Sequence, residues 1–369
     1  MTHRWISLLS ILVAAHALGQ TEAPRTAPMQ QGTTVRDGFQ GGWSVATGQL
    51  AKAEEKELDD AELEVAFGLD VIRSERNASL ARNQGVIPQS DQGRIQALSD
   101  ELNRRQPDSF DAHMANYYTA FPTPTAFQEL DLAIARDRDR AELVAPRLVN
   151  AVRTDNTTEL TLRAKDMRDR GGIAPPLYLV ANDILASTEP GAIFFAAGDM
   201  DLFPLLVEQF VRGKRKDLLV VDLRLLGDPS YRLRIWERTK ASGKVAPADQ
   251  FVQDLASATV RPVYVSLALG QKELAPLKEK LYTTGLAMRY STIPIDNIPL
   301  LESRWAAFRK PMDAGPLSQN YLLPGSVLLL HYRAIGDEPR ASRLEYELRD
   351  LAQRVGATNA LFRSGVLAH

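Results

Sequence analysis

The chain has no cysteine. That absence excludes disulfides, thiolate nucleophiles and zinc sites built on Cys. Histidine is scarce too: His3, His16, His113, His331 and His369 are all there is. A His-rich metal cage and an H-E-x-x-H helix are therefore missing. A Ser-His-Asp triad would have to recruit His113 or His331, and no G-x-S-x-G elbow exists to hold its serine. No G-x-G-x-x-G loop is present to cradle a dinucleotide. Neither sign of charge is in excess, with a formal net charge of −2 over 369 residues. Nucleic acid is not expected as a partner, because its binders carry a basic excess or a basic face. Beyond the amino terminus no run approaches the roughly 18 apolar residues of a transmembrane helix.

What is present is enough apolar sequence, 44% of the chain, for two or three modest domains. His3-Arg4 followed by the apolar run Trp5–Ala15 and the small residues Ala15, Ala17 and Gly19 reads as a signal peptide over residues 1–19. An uncleaved anchor is the alternative, but the run is short for a span. With no cysteine at the junction, lipoprotein processing is ruled out. The expectation is an exported protein, periplasmic or secreted, with no transmembrane span after cleavage. Residues 20–42, rich in Thr, Gln, Gly and Pro, read as a disordered leader.

Residues 43–172 carry helical spacing and lack β-branched runs. Ala51–Arg76 has one apolar stripe, and shorter helices follow around Ala112–Phe121, Phe127–Ile134, Val144–Val152 and Leu160–Met167. Paired short helices with tight turns are the unit of helical-repeat arrays. Pro107–Arg136 resembles a tetratricopeptide repeat, and an irregular helical domain is the competing reading. Tyr117, Tyr118, Phe121 and Phe127 read as core packing in preference to a sugar platform.

The centre of the chain is Ala192–Arg224. The apolar run Ala192–Ala197 ends at Gly198 and the acidic turn Asp199-Met200-Asp201. A helix with Phe203, Leu206, Val207 and Phe210 on one face follows, then the basic loop Arg212–Lys216 and the apolar run Leu218–Val221, closed by Asp222. Strands without polar alternation imply a parallel sheet covered on both faces. A third strand at Val263–Leu269, a polar helix at Lys272–Leu281 and a fourth strand at Gly285–Tyr290 extend the pattern. The fold class is α/β: a small Rossmann-like parallel sheet over 173–312, between the helical domain of 43–172 and a C-terminal helical pair over 313–369.

Asp199 and Asp201 lie just past the carboxyl end of a parallel strand, where ligands of open α/β sheets bind. Asp222 ends the next strand at the same edge. Three such carboxylates can bind a ligand, and Asp199 with Asp201 can hold Ca²⁺, Mg²⁺ or Mn²⁺ through oxygen. Asp-x-Asp pairs also hold the metal in many sugar-nucleotide transferases. The competing reading is structural: Asp201 caps the next helix, Asp199 favours its positive end, and Pro204 sits in its first turn. The Arg212–Lys216 loop reads as a solvated connection or as an attractor for an anionic partner.

The succession A-N-D-I-L-A-S, A-I-F-F-A-A-G-D-M-D-L-F-P, V-V-D-L-R-L-L, R-P-V-Y-V and T-G-L-A-M-R resembles the extracytoplasmic C-terminal part of a bacterial family. Its members are multi-spanning membrane proteins with a protein O-mannosyltransferase-like membrane half. The resemblance runs from about Tyr178 to Val355. Met200 and Leu202 stand where the family has an amide and a hydroxyl, and Asp222 where it usually has Asn. The membrane half, where glycosyl transfer would occur, has no counterpart here. The expectation is an exported, non-catalytic interaction or scaffold protein whose partner is an envelope protein or glycoconjugate. The alternative is a divalent-metal-dependent enzyme or carbohydrate-binding module acting at the acidic turn.

Overall fold

A computed structural model describes residues 68–82 and 87–367. The segments expected as a signal peptide and a leader, and most of the helix expected over Ala51–Arg76, lie outside the described residues. None of the described helices is long and apolar enough to cross a membrane. The chain divides into two compact units.

The first unit is helical. Its elements are α1 (Leu69–Arg82), α2 (Gln89–Arg105), α3 (Phe110–Ala120), α4 (Pro124–Arg136), α5 (Val144–Thr154) and α6 (Thr157–Arg170). Local chemistry sets the ends. The Ser109 hydroxyl accepts from Ala112 N at 3.1 Å, and Asn156 accepts from Glu159 N at 3.1 Å, each relieving a free N–H of a first turn. Pro124 opens α4, where its missing N–H costs nothing. Met114, Phe127, Leu130, Leu148 and Met167 fill the core. Tyr117 meets Phe127 edge-on at 6.0 Å, both buried, so this pair belongs to the core.

A polar seam crosses that core. The His113 ring on α3 bonds Glu129 through Nδ1 at 2.7 Å and Asp108 through Nε2 at 2.9 Å. Asn116 donates to Glu129 at 3.3 Å and accepts from Asn103 at 2.8 Å. Arg136 pairs with Asp108 on the outer side.

The second unit holds the sheet. It contains α7 (Pro175–Ala186), β1 (Ile193–Ala196), α8 (Asp199–Phe210), β2 (Leu219–Asp222) and a 3-10 turn over Leu223–Gly227. Next come α9 (Pro229–Arg238), whose residues up to Tyr231 group with the helical unit, then α10 (Phe251–Ala258), β3 (Val263–Ser266), the short α11 (Gln271–Leu274), β4 (Leu281–Thr283) and β5 (Ala287–Tyr290). The chain closes with α12 (Ile298–Ala307), a 3-10 segment over Gly315–Tyr321, α13 (Leu322–Ile335), α14 (Glu338–Arg354) and α15 (Thr358–Arg363).

The strand order is β2-β1-β3-β5-β4. β1 pairs in parallel with β2 and β3, with Phe194 opposite Val220 and Tyr264. All four residues of β1, β2 and β3 are buried, as unalternating apolar runs require. The sheet is mixed, however, and not parallel throughout. β5 runs antiparallel to both β3 and β4. The helix expected over Lys272–Leu281 shrinks to Gln271–Leu274 and a 3-10 turn at Lys278–Lys280. Neither piece is a helix long enough to cover the sheet as a crossover helix does. The chain instead makes a hairpin through Thr284-Gly285-Leu286. Gly285 has φ +137°, and a Cβ there would come within 2.3 Å of the Ser187 hydroxyl. That hydroxyl accepts from Leu286 N at 2.8 Å, fastening the hairpin to the end of α7.

Candidate functional site

β1 leaves the core at Ala196, and after the two residues Ala197 and Gly198 the helix α8 begins at Asp199. The stretch expected as an acidic turn is thus the first turn of a helix. Pro204 consequently falls in the second turn, not the first, and the Met200 carbonyl lacks the N–H it would otherwise receive.

The Asp201 carboxylate turns backwards. Oδ2 accepts from Ala197 N and Oδ1 from Gly198 N, both at 2.9 Å. Ser266, at the end of β3, adds a hydroxyl bond. The N–H groups that Asp201 serves therefore precede the helix, a different arrangement from an N-cap residue. Burial pushes its carboxyl above the ordinary carboxylate value, and the nearby Asp222 charge adds to that. The bonds from Ala197, Ser266 and Gly198 act in the opposite direction.

Asp222 ends β2 with no exposed surface. It accepts from the Arg224 backbone N at 3.0 Å, from Nε at 2.9 Å and from Nη2 at 2.8 Å. The same Nη2 lies 2.7 Å from Asp199 Oδ1. Burial alone would pull the Arg224 guanidinium down, but Asp199 and Asp222 outweigh it and hold it well above its ordinary value. One fixed cation therefore sits between two of the three carboxylates.

The structure brings Asp199 and Asp222 together on Arg224 and sets Asp201 on the backbone beside them. Among the described residues no group of three or more His, Cys, Asp or Glu side chains is placed to hold a metal ion. The position between Asp199 and Asp222 belongs to a guanidinium. Chemically, the arrangement offers a bidentate ion pair at the carboxyl end of parallel strands, the face that receives ligands in this class of sheet. Arg224 is 25% and Asp199 15% exposed, so part of the pair meets solvent.

Two members escaped sequence reasoning. Arg224 follows Asp222 by two residues, and the 3-10 turn that starts at Leu223 lets its guanidinium fold back on the Asp222 carboxylate. Ser266 ends a strand whose end must converge on this edge in a parallel layer.

No curated protein and no solved structure matches the chain. A family model matches residues 178–251, the span from α7 to the start of α10. It includes Asp199, Asp201, Asp222 and Arg224 and stops short of Ser266. Its description names no mannosyl transfer. The strand-helix-strand segment that carries the site is similar to TMEM260-associated domain 2.

Proposed function

We propose that the chain is an exported, non-catalytic interaction or scaffold protein of the cell envelope, with a Rossmann-like layer among repeat-like helices. Its partner is an envelope protein or glycoconjugate. The observation that carries this reading is Arg224 seated between Asp199 and Asp222 at 2.7 and 2.8 Å. Carboxylates neutralised by a permanent internal cation are poor metal ligands and poor general bases. The purified mature protein is expected to retain a specific envelope component and to turn over no glycoside, sugar nucleotide or phosphoester. Turnover that Asp199→Asn abolishes would overturn the reading.

A second reading, a carbohydrate-binding module at the same edge, draws on the partial exposure of Asp199 and Arg224. It predicts glycan-array binding without turnover, lost in Asp199→Ala. The metal-dependent enzyme predicts a melting temperature raised by Mn²⁺ or Ca²⁺ through linkage. No shift at millimolar metal removes it.

A further inference from the structure

The opposite end of the sheet has the reverse character. There the chain enters β2, β1 and β3 and leaves β5. Around those strand ends stand the cations Arg212, Lys214, Arg215, Lys216, Arg261 and Arg289, with the carboxylates Glu189, Glu208 and Asp217 among them.

Among the described residues, all of these cations but Lys216 are held in place by bonds of their own side chains. Arg215 donates to the carbonyls of Leu185, Thr188 and Glu189 at 2.6, 3.0 and 2.7 Å and pairs with Asp217 at 3.0 Å. Arg261 donates to the carbonyls of Gly191, Ala192 and Asp217 at 2.6, 3.0 and 3.0 Å, and to no carboxylate among the described residues. Arg289 pairs with Glu189. Glu208 is fully buried and takes both Arg212 and Lys214, the latter at 2.8 Å. Arg212 also lies 4.5 Å over the Tyr178 ring. Lys216 folds back over Gly213, where a Cβ would stand 3.6 Å from its Cε.

The carbonyl bonds preorganise Arg215 and Arg261 without adding a counter-charge, while Glu208, Asp217 and Glu189 offset part of the charge around them. Burial holds Arg261 below the usual arginine value, and Arg238 adds repulsion. Burial likewise lowers Arg304, with Arg215 adding to it. The Asp217 charge acts against that lowering at Arg261, and the Glu189 charge against it at Arg304.

We propose that this end of the sheet is a docking surface for an anionic polysaccharide. Neighbouring strands lie about 4.8 Å apart, so the four strand ends span roughly 15 Å, long enough for several charges of an extended polymer. Arg212 and Lys214 keep 42% and 47% of their side chains in water, and Lys216 is exposed. These three supply the direct contacts, and the arginines behind them supply the field. A peptide recognised in extended form takes main-chain bonds from a sheet edge and pockets for alternate side chains. Here strands end instead of running alongside, and the exposed cationic groups are donors only. The setting shares the proposed function's export expectation, but the surface is distinct from the Arg224 edge, and direct binding tests it separately.

The test measures binding of the purified mature protein to polygalacturonate, with neutral dextran and poly-glutamate as comparisons. The expected result is binding to polygalacturonate alone at low salt, weakening steeply as salt rises. Neutralising Arg212 and Lys214 together would strand the buried Glu208 and confuse loss of fold with loss of binding. Lys216→Glu avoids this, since no described carboxylate pairs with Lys216. It is expected to weaken binding about fivefold with an unchanged melting temperature. Arg212→Gln, which leaves Lys214 on Glu208, is expected to weaken binding to a similar extent, with a lowered melting temperature from the lost bond to Glu208. Polygalacturonate binding no stronger than dextran, or equal in both variants, overturns the proposal. Poly-glutamate bound as tightly would replace the polysaccharide with an acidic peptide.

Discussion

Each unit of this molecule holds a basic side chain between two carboxylates, and the two differ in one property. In the helical unit the base is His113, between Asp108 and Glu129. In the sheet unit it is Arg224, between Asp199 and Asp222. A guanidinium keeps its charge at any pH a protein survives, so the sheet's clasp is permanent. An imidazole does not. Its two nitrogens both face acceptors, and only the doubly protonated ring can donate to both. The helical clasp therefore depends on a proton that the sheet clasp does not need.

The sharpest way to break the comparison is Arg224→Ala. Asp222 would be left buried and uncompensated, and urea unfolding should show a loss of about 3 kcal/mol or more. A loss under about 1 kcal/mol would mean the pair is open to water. Asp201→Ala should cost about 2 kcal/mol, because it strands the N–H groups of Ala197 and Gly198 and the Ser266 hydroxyl.

His113 comes next. Burial alone would lower its pKa, but the bonds from Glu129 and Asp108 outweigh this and raise it above its ordinary 6.5. Its contribution is complete below the unfolded value and is lost as pH rises through the higher folded value. The melting temperature of the helical unit should fall across that window, and His113→Gln should remove the dependence, at a cost of about 1 kcal/mol in acid. A profile equally steep in the variant would assign the proton elsewhere. The smallest effect belongs to Asp217, which Arg215 and the Gly191 N–H hold down to about 2 despite some burial. That carboxylate stabilises above its unfolded value and ceases to do so as pH falls toward about 2. Because Asp217 is 40% exposed, Asp217→Asn should move an acid-unfolding midpoint only slightly.

These effects separate what the residue order makes legible from what it hides. Ala192–Ala197 and Leu218–Val221 announce themselves as buried strands because four consecutive apolar residues have no solvent face to turn outward. Asp199 and Asp201 are visible as acids after a strand. Their duties were not visible, because duty depends on register. α8 begins at Asp199 and so makes Asp201 its third residue, close enough to reach back to Ala197 and Gly198. β4 was hidden for a related reason. Leu281-Tyr282-Thr283 has three residues and no flanking strand signal, and pairing with β5 is what makes it a strand.

Local side-chain character is enough to set the periodic elements, the absence of cysteine chemistry and the parallel core of β2, β1 and β3. Packing of distant segments makes β5 antiparallel, puts Arg224 between two aspartates and gathers arginines and lysines at the other end of the sheet. Those outcomes join residues far apart in the chain, such as Asp199 with Arg224 and Gly191 with Arg261. Which charges meet is set by strand order and helix length, quantities that no local pattern encodes.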